Sequence, residues 1–167
     1  MLELFENSNS GAEFSSCRKY RYALWRIWDV TKPLVMFIGL NPSKADETKT
    51  DNTITRVIGF AKDWGYGGVY MLNCFPFVST KPEDMQECSV MHMLINFIFL
   101  EQCAKKCEEV IFAWGAFKIL KTTQQDKTVA AMFPNAKALI INKDGSPRHP
   151  LYVKGDVVPV KYNTENL

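Results

Sequence analysis

Asn41-Pro42-Ser43, Asn73, Trp114-Gly115 and Arg148-His149-Pro150 are the residues of this chain best placed to do chemistry. Each stands at or just beyond the end of an apolar run that suits a buried strand. The runs are Leu34–Leu40, Val69–Cys74, Val110–Trp114 and Ala138–Asn142. An amide side chain donates and accepts hydrogen bonds at once, and an imidazole near neutral pH does either. Aromatic rings add flat walls. Such a set makes a polar reading site whose members are mostly uncharged. Taken singly, Asn41-Pro42 and His149-Pro150 are turn-favouring pairs, Asn73 suits a loop cap, and Trp114 suits a core. Their shared placement after successive strands is what joins them, because an open parallel sheet binds ligands beyond its carboxyl ends.

Other chemistries fit less well. Ser43, His149 and either Asp46 or Asp51 compose a conceivable nucleophilic triad on the same edge. Asp46 and Asp51 also suit a magnesium ion, although Lys44 and Lys49 flank them as in a solvated loop. Cys103 and Cys107 share a face if helical and would need His92 to hold a metal. No Cys-x-x-Cys occurs, the five cysteines are irregularly spaced, and the chain has only two histidines. Free thiols in a reducing cytoplasm are therefore expected, with no metal and no cofactor. There is no Gly-x-Ser-x-Gly elbow, no phosphate-binding Gly-x-x-x-x-Gly-Lys and no dinucleotide fingerprint. Gly65, Gly67 and Gly68 follow a helical pattern and read as a turn.

The elements that must position these residues are legible in outline. Tyr20–Trp28 alternates as a half-exposed strand does. Asp51–Thr53 offers capping groups, after which Ile54, Val57, Ile58, Ala61 and Trp64 recur at helical spacing until Gly65. Glu83–Cys107 reads as one long helix or a broken pair, and Gly115–Leu120 as a short one. Lys143-Asp144-Gly145-Ser146 is a turn. Alternation of strands and helices predicts an α/β fold, a three-layer α/β/α sandwich around a mostly parallel sheet. At 167 residues the chain suits one domain over residues 17–162, with a loose polar arm at 1–16 and a tail at 163–167. Apolar residues at 47% and charged ones at 23% exclude wholesale disorder. A net charge of +2 does not demand a nucleic-acid partner. No apolar run reaches the roughly 18 residues of a membrane span, and no signal peptide is apparent, so a cytoplasmic protein is expected.

In their order, Gly39-Leu40-Asn41-Pro42-Ser43, Met71-Leu72-Asn73, Val110 to Gly115 and His149-Pro150-Leu151 resemble the uracil-DNA glycosylase superfamily. More closely, the chain is similar to the bacterial and phage domain of unknown function 1643. The motifs that carry this second resemblance are Leu40 to Asp46, Asp51 to Arg56, Trp64 to Tyr66, Ala113 to Gly115, and Gly145 to Tyr152. Two departures stand out: Val78 where that family usually has Arg, and Asn96-Phe97 where it shows Asn-Asp. Only 15 residues (153–167) follow Tyr152, which leaves no room for the long helix that often follows the His-Pro loop in glycosylases.

The glycosylase resemblance implies recognition of a nucleobase and hydrolysis of its N-glycosidic bond. On that footing Asn41 and His149 are the catalytic candidates. Asn41 would orient water and His149 would donate to the oxyanion on the departing base. Asn73 would read the base edge, and Phe75 or Phe77 would stack on its face. Arg148 would meet a phosphate, and Leu151 or Tyr152 would wedge into the vacated stack. Pro42, Ser43, Asp46, Asp51 and Trp114 complete the expected binding set. The partner would be DNA with a modified base, or a free nucleotide. Two alternatives use the same pocket. One is a non-catalytic nucleotide or modified-base binder, such as a phage sequestering or anti-defence protein, which Val78 and Phe97 favour. The other is an enzyme on a small nucleoside or nucleotide, with Asp46 and Asp51 taking part.

Overall fold

The structure, a computed structural model, describes residues 9–166. It is a mixed α/β fold around one seven-stranded sheet. In chain order the strands are β1 (Ser10–Phe14), β2 (Arg21–Ile27), β3 (Leu34–Gly39), β4 (Gly68–Asn73), β5 (Glu109–Phe112), β6 (Lys137–Ala138) and β7 (Val160–Lys161). The α-helices are α1 (Asn52–Asp63), α2 (Val90–Ala104), α3 (Lys118–Thr123) and α4 (Gln125–Met132). Across the sheet the order is β1-β2-β4-β3-β5-β6-β7. The pairs β4/β3, β3/β5 and β5/β6 are parallel, while β1/β2, β2/β4 and β6/β7 are antiparallel.

Alternate residues of the central strands enter two separate apolar clusters, as pleated strands covered on both faces require. Val35, Phe37, Val69, Met71 and Ile111 pack with Ile54, Val57, Phe60 and Ala61 of α1. Met36, Ile38, Tyr70, Leu72 and Phe112 pack with Phe99, Leu100 and Cys103 of α2 and with α3 and α4. Asp51 caps α1 by accepting the Ile54 N–H at 2.9 Å, and Gly65 ends it in the left-handed region (φ 85°). The crossovers through α1 and α2 thus leave β3 and β4 on opposite faces. Ligands gather where connections diverge in this way.

Several expectations are corrected. Residues 10–14 of the expected arm form β1, an edge strand whose Gly11 lies against the Trp25 ring; residues 1–8 lie outside the described ones. β2 is not half-exposed. Its Arg21 and Arg26 are buried because they donate to backbone carbonyls of the 45–49 loop, Arg21 Nη1 to Ala45 (2.9 Å) and Arg26 Nη2 to Asp46 (2.6 Å) and Lys49 (3.1 Å). Burial pulls the Arg21 guanidinium down to about 10, against the opposing charge of Asp51. The 83–107 segment is the broken pair, a 3₁₀ turn at Pro82–Glu87 followed by α2. The short helix expected at Gly115–Leu120 begins at Lys118, and α4 follows it directly. The strand expected at Ala138–Asn142 leaves the sheet after Ala138, because Ile141 pairs with Pro147 in a small hairpin. That hairpin turns the chain back toward the sheet edge.

Among the described residues, no helix is long and apolar enough to cross a membrane.

Candidate functional site

A cleft of about 210 Å³ opens beyond the carboxyl ends of β3 and β4. Gly39, Leu40, Asn41 and Ser43 line it from the β3 end, Met71 and Asn73 from the β4 end, and Asp51, Thr53 and Ile54 from the start of α1. Ser79, Thr80, Pro82, Phe117 and His149 close the other sides. Five expected site residues therefore meet in one place: Asn41, Ser43, Asp51, Asn73 and His149.

Asn73 forms the floor. It ends β4 opposite Gly39, is 2% exposed, and its Nδ2 has no hydrogen-bond partner among the described residues. A buried amide N–H without an acceptor costs on the order of 1–3 kcal/mol, and Asn73 leaves one such donor beside the cleft.

His149 reaches the cleft from the hairpin side. The Gly115 N–H donates to the Pro147 carbonyl at 2.9 Å, which ties this loop to the segment after β5, and the Arg148 N–H donates to the Ile140 carbonyl at 2.8 Å within the hairpin. Gly115 lies in the left-handed region (φ 80°), and a Cβ there would stand 3.4 Å from the His149 Cβ. The His149 Nδ1 accepts the Leu151 N–H at 3.2 Å, so in the neutral ring the proton sits on Nε2. Burial holds the imidazole below its ordinary value, with Asp51 pulling the other way. The result is a neutral ring with one N–H donor to offer.

Asn41 is anchored. Its Nδ2 donates to the carbonyls of Ser79 (2.8 Å) and Pro42 (3.0 Å), with Phe77 at 3.4 Å, clamping the 77–79 loop onto the loop after β3. The Ser79 N–H returns a bond to the Pro42 carbonyl at 3.1 Å. Pro42 is buried in this clamp, and Val78 stands next to the rim residue Ser79. Ser43 and Asp51 line the same cleft as His149, yet among the described residues no hydrogen bond joins the three. A triad needs the Nδ1 proton directed at the carboxylate, whereas here Nδ1 is an acceptor.

The remaining expected residues lie elsewhere. Asp46 folds its own loop, accepting N–H bonds from Lys49 (2.7 Å) and Thr48 (2.9 Å). Phe75 is buried and Phe77 packs on Tyr20 with ring centres 5.4 Å apart, so neither walls the cleft. Trp114 is completely buried against Phe112 and Tyr162. Arg148 Nε donates to Asn142 Oδ1 at 2.8 Å. Leu151 and Tyr152 are exposed beyond His149. Away from the cleft, His92 is stacked on Tyr20 and bonded to the Tyr22 hydroxyl, and Cys103 is buried in the apolar cluster. The aromatic wall that residue spacing missed is Phe117, half-buried two residues past Gly115. A flat residue two positions after Gly115, in the loop that follows β5, was the available signal.

The family described as protein of unknown function (DUF1643) matches residues 21–151, and the chain belongs to it. No curated protein and no solved structure matches the chain.

Proposed function

We propose that this member of the family recognises a single nucleobase in the cleft, on a three-layer scaffold of the uracil-DNA glycosylase kind. The observation that carries the reading is Asn73, whose buried Nδ2 beside the cleft has no partner among the described residues. Size agrees. A cleft of about 210 Å³ suits one substituted ring. It is smaller than the roughly 300–1,000 Å³ of sites for drug-sized ligands. Chemistry agrees as well. The Asn73 amide and the His149 Nε2–H offer donors to carbonyl oxygens on a base edge, and Phe117 offers a flat face.

The reaction such a grip serves is hydrolysis of the N-glycosidic bond. Water adds its oxygen to the sugar C1′, the C1′–N bond breaks, and the base leaves with the electron pair before taking a proton. A donor fixed at His149 would stabilise the charge that collects on the base oxygen. A second reading, retention of a base or nucleotide without turnover, is favoured by Asn41. Its amide nitrogen is committed to backbone carbonyls, and an amide oxygen is a far weaker base than a carboxylate.

The deciding experiment incubates the protein with oligonucleotides containing uracil, hypoxanthine or modified pyrimidines, and with free nucleotides. Mass spectrometry then reads released base and retained ligand. Base release that disappears in His149→Ala supports hydrolysis. A nucleotide that survives desalting unchanged supports binding alone. Neither release nor retention across the panel overturns the proposal.

A further inference from the structure

We infer that Asn96 and Gln125 are positioning residues that aim Asn73 into the cleft, so that α2 and α4 set the base selectivity of a site they do not line. The selectivity part rests on the nucleobase reading above. Asn96 is fully buried in a helix whose residues 90–100 carry no Lys, Arg, Asp or Glu. Placing an amide there is costly unless its hydrogen bonds are needed. Its Nδ2 donates to the Asn73 carbonyl at 2.9 Å, with the Cys74 carbonyl at 3.5 Å. From α4, Gln125 Nε2 donates to the Cys74 carbonyl at 3.0 Å. On the other side of the same backbone, the Cys74 and Phe75 N–H groups bond to the Gly39 and Leu40 carbonyls at 2.8 and 2.9 Å.

The turn after Asn73 is therefore gripped on both its N–H and carbonyl sides, which fixes the direction in which the Asn73 side chain leaves the backbone. Among the described residues the Asn96 Oδ1 finds no partner. Only the donating half of this amide is used, and that half is what a strand-end carbonyl requires. An aspartate would set a charged acceptor against that carbonyl, and a leucine would leave the carbonyl without its donor.

The test compares Asn96→Ala and Gln125→Met with Asn73→Ala and with the Asn73→Ala/Asn96→Ala double variant. Affinity for uridine, cytidine, inosine and guanosine is read alongside thermal stability. A positioning role predicts about tenfold weaker binding of the preferred nucleoside in each single variant, with narrowed discrimination among the four. It also predicts that the double variant binds no worse than Asn73→Ala. Additive losses, or selectivity unchanged beside a lowered Tm, overturn the inference. Gln125→Met keeps the test open should Asn96→Ala fail to fold. The side-chain amide signals of Asn73 in the free protein give an arm independent of any ligand. If wild type binds none of the four nucleosides, the base reading loses its support here, and these signals decide positioning alone. A shifted or doubled Asn73 amide pair in the variants supports it, and an unchanged pair overturns it.

Discussion

Gly39 and Asn73 face each other on the last rung of the parallel ladder between β3 and β4. A methyl group on Gly39 would lie 2.8 Å from Asn73 Oδ1 and 2.7 Å from Met71 Cε. Such approaches are closer than real carbon contacts allow. The glycine is thus required by the neighbouring side chain, in a strand whose backbone any residue could adopt.

Gly39→Ala is expected to tilt Asn73 away from the cleft. Overpacking of this kind costs about 1–3 kcal/mol, which a denaturant titration will show. Ligand retention should fall by about tenfold or more. Full retention in a folded variant would refute the tight-approach account.

His149 makes stability pH-dependent with a definite sign. Its folded-state value lies below the ordinary 6.5, so below about 6.5 the unfolded chain binds the proton more readily than the folded one. Stability is fully present above 6.5 and declines as pH falls through the window between the two values. Protonation of Nδ1 also breaks its bond from the Leu151 N–H. Melting curves for wild type and His149→Gln between pH 5 and 8 should show this component of the slope only in wild type.

Trp114 lies two residues past β5 and serves the core. Trp114→Ala should cost about 3–5 kcal/mol. Trp114→Phe should cost less than that, because a ring still fills most of the site and the indole N–H has no partner to lose among the described residues, and should leave ligand binding intact. Loss of binding in a stable Trp114→Phe protein would return this residue to the site.

Asp51 caps α1 and also lines the cleft, and substitution can separate its cap from its charge. Asp51→Ala removes the cap of α1 and about 1 kcal/mol of stability. Asp51→Asn keeps a capping oxygen and removes only the charge. Base release that falls in Asp51→Asn without a change in Tm would assign the carboxylate to the reaction.

Thiol chemistry should single out Cys17. It is exposed in the turn between β1 and β2, and its thiol is drawn below the ordinary value, chiefly by the Ser15 hydroxyl and then by the Lys19 backbone. Burial pushes Cys88 up to about 11, Cys103 up to about 12, and Cys74 and Cys107 upward too. A maleimide time course should show one fast site, absent in Cys17→Ser.

Asn73, Asn41 and Ser43 were legible because they sit at the ends of unbroken apolar runs, and a parallel strand delivers its next residues to one edge. His149 was legible from the His-Pro pair after the last such run. Phe75 was misplaced because pleat alternation stops at Asn73: Cys74 and Phe75 enter the same apolar cluster. Ser79 and Thr80 reach the rim through the clamp from Asn41, a contact across 38 residues that no local pattern encodes. β1 escaped notice because Ser10-Gly11-Ala12 has little strand preference of its own and is held by its pairing with β2. β2 read as half-exposed because its arginines bind carbonyl oxygens, which leave no charge pattern in the sequence.

The amide from Gln125 meets the Cys74 carbonyl across 51 residues of chain, and Asn96 spans 23 to reach the Asn73 carbonyl. Contacts so distant in sequence form only once the intervening segments have docked. Occupancy of the cleft is consequently a gauge of complete folding, and a ligand that selects it will also favour the fully assembled chain over partly folded ones.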